Sequence, residues 1–198
     1  MSNADYPALS NIHLNADSGY RRPPQIPLKD RLDGPALGFM TDFTVTEPIT
    51  TSPDVPIDAA LEYMKKAGVR LLLVTDPNER LVGVVTAQDI QGERPIGLVE
   101  TTRTPRSELT VGQVMTPQAD ITVLNLLSVR NAQIGHVVET LHQLERQHVL
   151  VVEVNEEAGS HTVRGLFSTS QIGKQLHMDV SHTMAHAHSL AEMVHEMN

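Results

Sequence analysis

Two stretches of this chain place a hydroxyl and a second polar group one helical turn apart. In Gly83-Val84-Val85-Thr86-Ala87-Gln88-Asp89-Ile90 an apolar run ends on Thr86, and Asp89 follows three residues later. In Gly165-Leu166-Phe167-Ser168-Thr169-Ser170-Gln171-Ile172 the same spacing is held by Ser168 and Gln171. Each stretch predicts a buried strand that runs into the first turn of a helix. Such a junction leaves backbone N–H groups unpaired beside a partial positive charge, which suits phosphate. A hydroxyl there can donate or accept, and a carboxylate one turn on can accept from both hydroxyls of a ribose. Thr86 and Asp89 therefore supply one half of a nucleotide site. The structural alternative stays open: Thr86 caps the helix and Asp89 complements its dipole. Gln171 is neutral, and charge-assisted hydrogen bonds are about twice as strong as neutral ones. The expectation is one occupied site per chain, centred on Thr86 and Asp89.

The elements that must position these groups follow from patterning. Between Thr44 and Thr51 the residues are short and β-branched, which predicts a strand. Val55-Pro56 opens a helix whose stripe is Ile57, Leu61 and Met64, and Gly68 ends it. Leu71 to Thr75 is a continuous apolar run, predicted as a strand buried on both faces. Asp76-Pro77-Asn78 turns the chain back along Leu81 to Thr86, and Asp89 begins a short helix. Residues 91 to 108 carry Gly, Pro, Thr and alternating charge without periodicity, which predicts a linker or an irregular crossover. A second unit opens at Leu109 to Pro117, with an extended segment near Ile121-Thr122-Val123. Asn131 is placed as the N-cap of a helix with a stripe of Ile134, Val137, Val138, Leu141 and Leu144. Strands at Val149 to Val154 and Val163 to Ser168 follow. The order β-α-β-β-α occurs twice, an internal repeat. The reading divides the chain into a flexible N-terminal arm (1–35), a first unit (36–98), a linker (99–108), a second unit (109–176) and a tail (177–198).

Bulk properties bound what this architecture can do. Tryptophan and cysteine are absent and aromatics are 3% of residues, so the core must be aliphatic, and disulfides, thiolate metal sites and cysteine nucleophiles are excluded. A formal charge of −9 disfavours nucleic acid, which needs a positive face to displace counterions. The start has neither a basic end nor an apolar run, and no apolar segment approaches a membrane span, so a cytoplasmic protein without membrane association is expected. No G-x-S-x-G, P-loop or G-x-G-x-x-G pattern occurs. In the tail, His182 and His186 stand at the i, i+4 spacing of two helical metal ligands, beside His177, His188 and His195, but without a third ligand. Met184, Ala187, Ala191, Val194 and Met197 predict an amphipathic helix there.

The two units together resemble a tandem pair of CBS domains, the Bateman module, of the stand-alone bacterial type. The resemblance rests on Met40-Thr41 and Met115-Thr116 at the unit starts and on Thr50 and Thr122 in the first extended segments. It also rests on Gly68-Val69-Arg70 and on the two junctions from Gly83 to Asp89 and from Gly165 to Gln171. It covers roughly residues 36 to 176. It implies an α+β (α/β) fold of two packed β-α-β-β-α units, a tendency to form homodimers, and clefts that take adenosine-containing ligands. The nucleotide-binding residues it implies are Thr50, Thr51, Arg70, Thr86, Asp89, Thr122, His148, Ser168 and Gln171. Arg70, Arg94, Arg146, His148 and Lys174 are the positions from which a cation could meet phosphate. The expected function is a non-enzymatic sensor of AMP, ADP or ATP, with no obligatory cofactor, acting on a partner protein not named by the sequence. A ligand-free dimerisation scaffold is the alternative, and a metal-responsive protein using the histidine tail is the third.

Overall fold

The computed structural model describes residues 8–22 and 27–176. The predicted tail helix and its histidines lie outside these residues. Residues 8–22 form no helix or strand and are exposed. Ordered elements begin with helix α1 (Leu28–Leu32), earlier than the sequence reading placed them. Leu32 is buried in the core of the second unit, and the Arg31 guanidinium donates to the Leu176 carbonyl at the far end of the chain's described part.

Helix α2 (Ile57–Ala67) forms where the apolar stripe predicts it, burying Ile57, Ala60 and Met64. Pro56 stands just before its first residue, and Gly68, at φ 68°, takes the left-handed conformation that ends it. Val69 N–H then donates to the Met64 carbonyl at 3.0 Å, closing the last turn. Strands β3 (Leu71–Thr75) and β4 (Leu81–Thr86) pair antiparallel, with Leu71 opposite Thr86. Asp76 Oδ1 accepts from the N–H groups of Asn78 and Arg80 at 2.8 and 2.9 Å, which fixes the turn between them. Helix α3 (Ala87–Gln91) follows directly.

The second unit repeats the plan. Strand β6 (Val123–Asn125) pairs parallel with β7 (His148–Asn155), as β2 (Thr50–Thr51) does with β3. Helix α7 (Ile134–Gln143) lies between β6 and β7 and buries Ile134, Val137, Val138 and Leu141. Strand β8 (Ser160–Ser168) returns antiparallel and leads into α8 (Thr169–Gln175).

Each sheet takes its fourth strand from the opening segment of the other unit. With β1 at Thr41–Asp42 and β5 at Thr116–Pro117, the sheet orders are β2-β3-β4-β5 and β1-β8-β7-β6. Strand β1 opens the first unit but pairs with β8, and β5 opens the second but pairs with β4. The glycine that opens each repeated junction sits under this crossing. A Cβ on Gly83 would lie 2.7 Å from both the Met115 sulfur and the Thr116 carbonyl oxygen. A Cβ on Gly165 would run into the Thr41 carbonyl oxygen.

Apolar burial explains the continuous strands. Leu72 and Val74 face the helices of the first unit, with Ile57, Met64, Val85, Ile90 and Leu109. Leu71 and Leu73 face the other way and meet Val84 and Leu150 between the two sheets. A strand buried on both faces has no polar positions to show. Phe167 and Ile172 anchor the core of the second unit. The fold is α+β, two packed units, as the sequence indicated.

Three local expectations are corrected. Between Thr44 and Thr51 only Thr50–Thr51 is strand, because Asp42 Oδ1 captures the Thr44 N–H and hydroxyl and bends the chain. Residues 91 to 108 are not an irregular crossover: α4 (Glu93–Thr102) fills most of them and packs Leu98 and Val99 on the first core. Pro95 lies in its first turn, where no intrahelical donor is needed. Asn131 is not an N-cap; it ends α6 (Leu126–Arg130), and Gln133 caps α7, its N–H donating to His136 Nδ1 at 3.1 Å. A short α5 (Val111–Val114) completes the α-helices of the described residues. Among the described residues no helix is long and apolar enough to cross a membrane.

Candidate ligand-binding site

At the β4–α3 junction, Thr86 and Asp89 close on each other. Asp89 N–H donates to Thr86 Oγ1 at 3.1 Å, and Asp89 Oδ2 accepts from Thr86 N–H at 2.9 Å and from the Thr86 hydroxyl at 2.7 Å. This is a reciprocal capping box. It consumes one carboxylate oxygen and the Asp89 N–H that the sequence reading offered to phosphate. The other oxygen, Oδ1, stands 3.3 Å from Arg94 Nη1. Arg94 projects from the first turn of α4 and also donates to the Val114 carbonyl at 2.9 Å, so it braces α3, α4 and α5 together.

This junction forms one wall of a cleft of about 630 Å³. The opposite wall comes from the second unit: Thr122 just before β6, and the chain from Leu144 to His148 that connects α7 to β7. Glu145 turns that connection at φ 51°, a left-handed position held by a non-glycine residue. Buried Thr116, on the crossing strand β5, also lines the cleft. Burial pushes the His148 imidazole down to about 4; nearby Arg70 pushes the same way and Asp89 opposes both. His148 is therefore a neutral imidazole near pH 7, able to donate from one nitrogen and accept at the other.

Of the residues singled out in the sequence, Thr86, Asp89, Thr122 and His148 converge on this cleft, with the cation candidates Arg94 and Arg146. Arg70 stands close enough to act on His148. Thr50 and Thr51 lie instead on β2, paired with Leu73 and Val74, and do not line it. Neither do Ser168, Gln171 and Lys174. The second junction is built differently from the first: Gln171 Oε1 accepts from the Thr41 hydroxyl at 2.9 Å, and buried Ser168 bonds Ser170 at 2.9 Å. Gln88, Glu93, Asp120, Glu145 and Gln147 line the cleft without having been marked in the sequence. Gln88 lies in α3, Glu93 opens α4, Asp120 ends a short 3-10 helix, and Glu145 and Gln147 lie in the connection from α7 to β7, so no apolar stripe announces them. Among the described residues no group of three or more His, Asp or Glu side chains is placed to hold a metal ion.

The family profile of the CBS domain matches residues 40–95, from the crossing strand through the junction to α4. Residues 40–95 are a CBS domain. The second unit repeats its topology, and the two units pack through their sheets. An uncharacterized conserved protein from Pyrococcus horikoshii superposes with a TM-score of 0.52 at 22% identity, covering 73% of this chain and 92% of that one. CBSX2 in complex with AMP gives a TM-score of 0.49 at 22% identity, over 72% of this chain and 95% of that one. Likeness at these levels concerns the fold alone. An inosine-5'-monophosphate dehydrogenase from Haemophilus influenzae is 28% identical over 108 residues, 54% of this chain. The match spans only 19% of that enzyme's length.

Proposed function

We propose that this CBS pair is a non-enzymatic regulatory module that binds an adenosine nucleotide, of the AMP, ADP or ATP series, in the cleft between its units. The observation that carries the reading is the convergence of Thr86, Asp89, Thr122 and His148 on one inter-unit cleft of about 630 Å³. That size falls inside the roughly 300–1,000 Å³ range of small-molecule sites. Asp89 Oδ1 and the ring nitrogens of His148 offer acceptors and donors for a ribose and a base, and Leu71 and Val84 supply apolar floor. A ligand touching both units would favour one packing of the units over another, the differential affinity that regulation of a partner protein requires. Pairing with a second copy and action on a protein partner in the cytoplasm belong to the same proposal.

A second reading has its own observation. The capping box already satisfies Thr86 and half of Asp89, as it would in a purely structural junction of a ligand-free scaffold. Thermal unfolding with AMP, ADP, ATP, S-adenosylmethionine and NADH separates the two. A ligand at about 100 times its dissociation constant adds about 2.7 kcal/mol, a shift of roughly 5–10 °C for a chain of this size. The nucleotide reading expects such a shift for an adenosine nucleotide, sharply reduced in Asp89→Asn when each variant is compared with its own ligand-free state. No shift for any of the five would leave the scaffold.

A further inference from the structure

The walls of the cleft carry more carboxylates than guanidinium groups. Asp89 and Arg94 face each other across 3.3 Å and offset one another. That leaves Glu93, Asp120 and Glu145 against Arg146 on the walls, none of which forms an ion pair among the described residues. Arg70, off the walls but near enough to act on His148, adds one further positive charge, so the carboxylates still exceed the guanidinium groups by one. Glu93, Asp120, Glu145 and Arg146 are all exposed, so these are full charges at the mouth and rim rather than buried neutral acids. His148, the remaining titratable group on the wall, is neutral near pH 7 and adds no positive charge. The N–H of Asp89 is occupied by the capping box, so the junction does not repay the missing cations with that donor.

From this charge arrangement we infer that the cleft selects its adenosine ligand by charge, taking a nucleoside or a nucleoside monophosphate and rejecting a free triphosphate. The inference rests on the nucleotide reading above and sharpens it. Each additional phosphate brings further negative charge to a rim already in excess of carboxylate, with Arg146 as the unpaired guanidinium there to meet it. Several like charges at separations of about 8 Å in water repel by enough to weaken binding about tenfold at low salt. A monophosphate can instead be met by Arg146 alone, with its nucleoside against Asp89 and His148.

Calorimetric titration of adenosine, AMP, ADP and ATP into the full chain, in magnesium-free buffer, tests this. At low salt ATP is expected to bind about tenfold or more weakly than AMP, and the gap to narrow as salt is raised to about 0.5 M. The double variant Asp120→Asn with Glu145→Gln removes two exposed rim charges without touching the core. It should regain several-fold for ATP while leaving adenosine unchanged. ATP binding as tightly as AMP to the wild type, or the double variant altering adenosine and ATP alike, overturns the charge selection while the nucleotide reading survives. Absence of binding by all four overturns the nucleotide reading itself.

Discussion

Gly165→Ala is the sharpest test of the crossing of strands between the units. In a strand this substitution ordinarily stabilises by about 0.4–1 kcal/mol, since alanine loses less backbone freedom on folding. Here the added methyl would collide with the Thr41 carbonyl oxygen and press on the Met40 side chain. The oxygen belongs to β1, which is held against β8 by the Thr41–Leu166 and Asp42–Gly165 pairings and by Phe43 N–H to the Arg164 carbonyl at 2.9 Å. The Arg164 guanidinium also grips Asp42. Making room means displacing backbone, and overpacking of that kind costs about 1–3 kcal/mol. Set against that gain, a net loss of about 1 kcal/mol lowers the melting temperature of a chain this size by roughly 2–4 °C. Gly97→Ala is the matched control. Gly97 is exposed in the middle of α4 with nothing within 4 Å of its Cβ position, so alanine should raise stability by about 0.5–1 kcal/mol. Thermal unfolding followed by far-ultraviolet circular dichroism reads both. Gly165→Ala melting at or above the wild type would refute the close crossing, and Gly97→Ala melting below it would refute α4.

Other outcomes follow from the same contacts. Thr86→Ala removes the cap of α3 and should cost about 1 kcal/mol, seen as a melting temperature lower by roughly 2–4 °C. Gly68→Ala forces a side chain into the left-handed turn at φ 68° and should cost about 1 kcal/mol in urea unfolding, with no change in the slope. For His148, the folded value near 4 lies below the ordinary unfolded value, so between them the unfolded chain binds more protons. Stability should therefore hold above about pH 6.5 and fall as the pH drops toward 4, by no more than about 3 kcal/mol. His148→Asn should flatten that part of the pH profile in urea titrations, and an unchanged profile would place the imidazole elsewhere.

The sequence was most legible where burial is two-sided or periodic. Leu71–Thr75 and the stripes of α2 and α7 were read correctly because their apolar spacing answers directly to a core. The helix α4 was missed because Pro95 and Gly97 look like breakers, although one sits in the first turn and the other faces solvent. The strands β1 and β5 have two residues each, too short for any alternation, and their partners are distant in the chain. Only the close packing against Gly83 and Gly165 gives them away, and that is a three-dimensional fact. For the site, the repeated hydroxyl spacing located Thr86 and Asp89, yet could not show that the pair is already engaged in a capping box. It also treated two junctions as near equivalents. Thr41, arriving from the other unit, is what sets Gln171 apart.

The crossing strands give the two sheets different histories as the chain leaves the ribosome. The first sheet draws all four strands from Thr50 to Pro117 and can close while the second unit is still being made. The second sheet needs β1, which emerges before everything else in either sheet, and its partner β8 is among the last segments to appear. Thr41 must stay unpaired until Leu166 arrives, so the closing contact carries the loop entropy of nearly the whole domain. The join between β1 and β8 is thus a seal set at the end of synthesis, and the strand made first is paired last.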